Sequence, residues 1–147
     1  AVKNRSNQGS YMTNDTGFYQ TNISTLFVDT MLKYKGFSFM GEYALRDAAD
    51  PLAKNADDSL TGDKVQTGNS LNLMSGYLFK NNWEVTGRYT NVNYDDFLHK
   101  GAENQYTFGV SKYIAGHKLK VQSDVSYLDI VSGTNQLMYR LQVDIHF

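Results

Sequence analysis

From Thr25 to the end of the chain, apolar and polar residues alternate with a period close to two, segment after segment. A strand points successive side chains to opposite faces, so this period builds two chemically different surfaces and leaves no room for a helical reading. Seven strands are predicted: Thr25–Lys35, Phe37–Asp47, Ser70–Lys80, Trp83–Tyr94, Asn104–Ile114, Lys118–Ile130 and Leu137–Phe147. The seventh is the clearest, with Tyr139, Leu141, Val143, Ile145 and Phe147 alternating with Met138, Arg140, Gln142, Asp144 and His146. The third alternates least well.

The connections fall into two kinds. Tight turns at Lys35-Gly36, Asn81-Asn82 and Ala115-Gly116-His117 follow the first, third and fifth strands. Longer polar segments, 48–69, 95–103 and 131–136, follow the second, fourth and sixth. In an antiparallel meander this puts every tight turn at one end and every long loop at the other. Short inner turns with long outer loops are the asymmetry of an outer-membrane β-barrel. Phe147 then lies at the short-turn end, on the periplasmic side, and the 48–69 loop lies outside. Barrels of this kind have an even strand number, which seven strands break. Residues 1–24, rich in Asn, Ser, Thr, Gly and Gln, show no sustained alternation. They read as a polar loop or the end of an upstream strand, and 25–147 as barrel strands. The odd count and the opening Ala1-Val2-Lys3-Asn4, without Met or an apolar leader, point to a fragment or a processed chain.

A soluble up-and-down barrel has the same period with its apolar face turned inward. Two features favour lipid outside. Aromatics gather toward the strand ends, Tyr34, Phe37, Tyr77, Phe79, Trp83 and Phe147 at one and Tyr43, Tyr89, Tyr106, Tyr127 and Tyr139 at the other, with Leu and Val between. Strands of about 11 residues match a tilted bilayer span, whereas globular strands run about five or six. The chain has 11 tyrosines, one proline and no cysteine. No stretch approaches the roughly 20 apolar residues of a membrane helix. A net charge of -1 and the lack of a basic cluster argue against nucleic acid as a partner. The expectation is therefore an all-β, antiparallel transmembrane barrel in the bacterial outer membrane.

Particular runs narrow this further. Phe39-Met40-Gly41-Glu42-Tyr43, the hairpin from Gly76-Tyr77-Leu78 to Trp83-Glu84, Tyr106-Thr107-Phe108-Gly109-Val110, His117-Lys118-Leu119-Lys120-Val121-Gln122 and the closing Tyr139–Phe147 run together resemble the C-terminal region of the phosphate-selective porin O and P family, Bacteroidetes type. The resemblance covers about the last three-quarters of the chain and implies a piece of a barrel of about sixteen strands, commonly trimeric. It implies a lipid bilayer, the outer-membrane assembly machinery and a homotrimer as partners. The residues Tyr139, Leu141, Val143, Ile145 and Phe147 resemble the terminal signal read by that machinery. The family's arginine ladder and constriction lysines have no motif here to map onto, so no phosphate-binding residue carries over.

On the barrel reading the polar face is the lumen. It carries Lys33, Lys35, Arg46, Lys80, Arg88, Lys118, Lys120 and Arg140 against Asp29, Glu42, Glu84, Asp124 and Asp144, an excess of three positive charges. Lumen charge tunes ion selectivity, so a mild anion preference is expected of a passive channel for small polar solutes. The plainer alternative is that these charges pair across strands and keep the interior wet. The aspartates of the 48–69 loop lack calcium-site spacing and read as a solvated surface. His99, His117 and His146 are scattered, with no convergent partners, so no catalytic residue, metal or cofactor is assigned and no enzyme is expected. Lys112 interrupts an apolar row near a strand end, where snorkelling costs about 0–1 kcal/mol against about 2–4 at a bilayer midplane. Two other readings stay open: a barrel fragment or client held in an envelope assembly, and a soluble lipocalin-like ligand-binding barrel.

Overall fold

The structure, a computed structural model, describes residues 4–5, 9–10, 12–115, 119–131 and 133–146. Four short strands come first: β1 (Asn4–Arg5), β2 (Gly9–Ser10), β3 (Thr13–Asn14) and β4 (Gly17–Phe18). Long strands follow at β5 (Ile23–Tyr34), β6 (Phe37–Ala48), β9 (Gly68–Leu78), β10 (Trp83–Tyr94), β11 (Glu103–Tyr113), β12 (Leu119–Ile130) and β13 (Gln136–Ile145). Between β6 and β9 lies a small hairpin of β7 (Leu52–Lys54) and β8 (Leu60–Lys64), and a single 3-10 turn, Asp96–Leu98, follows β10.

The seven long strands form one antiparallel sheet in the order β13-β12-β11-β10-β9-β6-β5. Its registers run without a bulge from Ile23↔Ala48 at one edge to Leu119↔Ile145 at the other. The turn Lys35-Gly36 has positive φ at both residues, 45° and 88°. That is the twist a two-residue hairpin needs, and glycine tolerates the second position at no steric cost. The Leu78 N–H donates to the Gly36 carbonyl at 2.8 Å, so the turn is tied to the end of β9.

Because the registers are unbroken, the period-two pattern sorts cleanly into two faces. One carries apolar rows such as Leu32–Phe39–Ser75–Gly87–Phe108–Val125–Tyr139, read strand by strand across the sheet. The other carries polar rows such as Lys33–Ser38–Gly76–Thr86–Gly109–Asp124–Arg140. The polar side is the more enclosed. Ser126 is 2% exposed and Asp124 8%, whereas Phe108 and Val125 on the other side are 55% and 38% exposed. A sheet that curls toward its polar face crowds those side chains and splays the apolar ones, so the apolar face is convex.

The buried apolar residues among the described residues, Ala48 at the last pair of β6 and Ala53 and Val65 beyond it, sit at the loop end and not in the middle of the sheet. There the β3–β4 hairpin is tied to the β7–β8 hairpin. Thr13 N–H donates to Asp63 Oδ2 at 3.2 Å, Asn14 Nδ2 to the Lys54 carbonyl at 3.0 Å, and Ala56 N–H to Asp15 Oδ1 at 3.0 Å.

These features correct the barrel expectation. The sheet is open: β5 and β13 each pair on one side only, and they do not meet. The reason lies in the strand count. Seven alternating strands leave the two edge strands pointing the same way, so direct closure would need a parallel pair in an otherwise antiparallel sheet. The chain is therefore not a closed transmembrane barrel, nor shown to be a piece of a sixteen-strand one. An open edge leaves a row of unpaired N–H and C=O groups, which do not survive against hydrocarbon. Among the described residues no helix is long and apolar enough to cross a membrane. The polar face encloses no lumen, so the porin and channel reading falls, with its anion preference. The lipocalin-like alternative also required a closed barrel and falls with it. The outer-membrane placement, the periplasmic C-terminus and the partners drawn from it (lipid bilayer, assembly machinery, envelope assembly and homotrimer) rested on closure and lose that basis. His117, Lys118 and Phe147 lie outside the described residues.

Candidate interaction edge and polar face

The polar face brings together most of the charges singled out in the sequence. Asp29, Lys33, Glu42, Arg46, Glu84, Arg88, Lys120, Asp124, Arg140 and Asp144 all project from it. Lys35 and Lys80 do not. Both stand in turns, and Lys35 Nζ lies 5.2 Å from the Tyr34 ring centroid. The charges spread over several rows and do not converge on a point.

Neighbouring strands satisfy many of them. Arg140 Nε donates to Asp124 Oδ1 at 3.0 Å, the one ion pair among the described residues. Asn72 Nδ2 donates to Glu42 Oε2 at 2.6 Å and Thr90 Oγ1 to Asn72 Oδ1 at 3.1 Å. Within β13 itself, Gln142 Nε2 donates to Asp144 Oδ1 at 2.7 Å. The Tyr113 hydroxyl donates to Glu84 Oε2 at 2.7 Å. Burial, and then the Glu84 carboxylate that accepts this proton, push the Tyr113 hydroxyl up to about 12 from 10.0. Arg88 Nε is buried and lacks a hydrogen-bond partner among the described residues.

On the convex face the interruptions have their own partners. Lys112 Nζ donates to the Asn81 carbonyl at 2.7 Å and lies 5.0 Å from the centroid of the Trp83 ring, a cation–π arrangement. An amide network of Asn69, Asn91, Asn93 and Asn104 closes the loop end of that face, joined by the Tyr89 hydroxyl at 2.9 Å from Asn104 Oδ1. Gly87 and Ser75 leave a shallow apolar groove of about 550 Å³ between Phe39, Leu73, Tyr89 and Phe108. Few polar groups line it, so it offers contact area without chemistry. Among the described residues no group of His, Asp and Glu could hold a metal ion.

The feature with most consequence is the β13 edge. Every residue of β13 except the half-buried Asp144 is exposed, and Leu137, Tyr139 and Leu141 are 75%, 71% and 67% exposed. Natural edges are blunted by proline, bulges, shortness or charged side chains, and the two charges of β13, Arg140 and Asp144, are of opposite sign. β13 has ten residues, no proline, and an uninterrupted register to β12. Tyr139, Leu141, Val143 and Ile145, read in the sequence as an assembly signal, form its apolar row. Sequence reasoning had no means of knowing that this strand would be left unpaired, because the alternation of an edge strand and a central one is the same.

No protein-family model matches the chain, and neither a curated protein nor a solved structure matches it. With the sheet open, the resemblance to the phosphate-selective porin O and P family does not stand, and function has to be read from the geometry itself.

Proposed function

We propose that the chain is a non-catalytic assembly module whose β13 edge pairs with the same edge of a second copy, so that two seven-stranded sheets continue as one. The observation that carries this is the self-complementary order of charge along β13. A two-fold axis through Gln142, normal to the sheet, places β13 antiparallel to its mate and keeps like faces together. Arg140 then stands opposite Asp144 of the second copy, and Asp144 opposite its Arg140. On the other face Leu141 meets Val143 and Tyr139 meets Ile145. Isologous contacts of this kind are the commonest in homo-oligomers.

The register is specified against its neighbours. Centring the axis on Arg140 or on Asp144 puts like charges opposite, and centring it on Leu141 or Val143 loses both attractive pairs. A one-residue slip of the pairing between these registers would oppose apolar to polar faces, so it is disfavoured as well. The β5 edge carries a similar spacing, Asp29 and Lys33 about Met31, but Thr30 breaks its apolar row. The unbroken row of β13 buries more apolar area per pair.

The test uses the absence of cysteine from the chain. In the register above, Q142C brings two sulfurs directly opposite, with Cα atoms about 4.5–5.5 Å apart, within disulfide reach. Q142C should cross-link to a dimer under mild oxidation, while M31C on β5 stays monomeric. Cross-linking of M31C with none of Q142C would move the interface to β5 and defeat the proposal. Failure of both, with the protein taken up only by detergent micelles, would defeat sheet extension altogether.

A further inference from the structure

Four of the five methionines stand in one row of the polar face. The row runs Met31–Met40–Met74–Arg88–Thr107–Ser126–Met138. Three of them, Met31, Met40 and Met74, are on adjacent strands, each directly opposite the next. Opposite residues in an antiparallel pair have Cβ atoms about 4.5–5.5 Å apart. Methionine has three rotatable bonds, so the outer two thioethers have the reach to converge over Met40.

Methionine ordinarily fills gaps in an apolar core. These do not: they project on the polar side, with Met31 64% exposed and Met40 and Met74 half-buried. The next row toward the loop end holds Asp29 and Glu42, directly opposite each other. Lys33 lies on the turn side of Met31, and Arg88 lies beyond Met74. Two negative and two positive charges therefore surround the methionines, with the carboxylates nearest the Met31–Met40 pair. This balance gives no net attraction to a hard dication, which in any case requires oxygen ligands. Thioether sulfur is a soft, neutral donor and favours Cu(I).

We propose that Met31, Met40 and Met74 form a three-thioether site for a soft monovalent cation, Cu(I). The ligands lose no proton on binding, unlike cysteine or histidine sites. Affinity should thus hold between about pH 5 and about pH 7, across the range where a histidine site would lose its metal.

The experiment titrates the intact chain with Ag(I), a soft monovalent stand-in that needs no reductant, while following the methyl resonances of all five methionines. Met31, Met40 and Met74 should move together to a one-to-one end point, with Met12 and Met138 still. Replacing Met40 by leucine, a volume-conserving change, should weaken binding about tenfold or more, while M138L binds as the wild type does. Three results would overturn the site: no shift of the three methyls, equal shifts at all five, or M40L binding as tightly as the wild type. A binding curve that collapses at about pH 5 would assign the ligand to histidine instead.

Discussion

The charge pattern of β13 permits a test that does not depend on the stability of any single variant. In the two-fold register the interface holds two Arg140–Asp144 pairs, one on each side of Gln142. Cross-strand pairs of opposite charge contribute about 0.2–1 kcal/mol each, and like charges directly opposite cost a similar amount. D144K therefore removes two attractions and adds two repulsions, for a total of about 1–4 kcal/mol, or roughly 5- to 700-fold in the dimer constant. Because Arg140 is 53% exposed and already shared with Asp124, screening by salt should hold the effect toward the lower end. R140D opposes two carboxylates across the seam in the same way; within each chain it also loses the Asp124 pair, as D144K also faces Lys120. Mixed together, the two variants are complementary. One side of the interface keeps the native Arg140–Asp144 pair, and the other holds the same pair with its signs exchanged. Sedimentation of each variant alone and of the equimolar mixture reads this out. Each alone should be weakened and the mixture should recover a heterodimer, with the difference shrinking as salt is raised. A mixture no tighter than its components would show that these charges do not face each other, and the register would be wrong.

Two further outcomes follow from positions inside the sheet. Tyr113 donates to Glu84, and its pKa is raised from 10.0 to about 12 in the fold. The folded state thus favours the protonated phenol, a contribution present in full below pH 10.0 and lost as pH rises through about 12. Y113F should remove one late-titrating phenol from the alkaline absorbance curve and flatten the pH dependence of stability in that window. An unchanged curve would place the perturbed tyrosine elsewhere. Gly36 has a φ of 88°, and a Cβ there would stand 2.6 Å from the Leu78 carbonyl oxygen. G36A should cost about 1–3 kcal/mol in urea unfolding. A loss below a few tenths would mean that the β5–β6 turn is not tied to β9 as described.

The seven strands were legible because each pairs apolar odd positions with polar even ones, or the reverse, over a full span, and tight turns such as Lys35-Gly36 leave little freedom in register. Closure was not legible. Alternation assigns a side chain to a face without saying whether the last strand meets the first, and the odd strand count alone bore on that question. The β7–β8 hairpin was missed for a different reason. Leu52-Ala53-Lys54 and Leu60–Lys64 are too short and too rich in aspartate nearby to show a period, and they form a hairpin through contact with the Thr13–Phe18 segment. For the polar face, parity alone puts Asp124 and Arg140 on one side. Their pairing required the register between β12 and β13. The methionine row needed two registers at once, since residues 31, 40 and 74 share no spacing that a linear reading would notice. Lys35 and Lys80 continued the parity of their strands on paper, but each fell into the turn beyond.

The open sheet leaves an energetic problem that bears on what the chain does. A sheet is stable when its apolar face is covered by another layer, yet here Leu32, Phe108, Tyr139 and Leu141 are more than half exposed on the convex side. Joining two β13 edges does not cover that face from above. It narrows the gap by bringing the Tyr139–Ile145 and Leu141–Val143 contacts together across the seam, and it satisfies the outward N–H and C=O groups of both strands. It also sets a limit to growth. Since β5 and β13 run in the same direction, a two-fold join at β13 leaves only β5 edges outward, so further extension would require a second, different two-fold contact at Met31. Thr30 in the apolar row makes that contact the weaker of the two. The assembly should therefore pause at the dimer, and the β5 edge, with the methionine row beside it, should remain open on the outside.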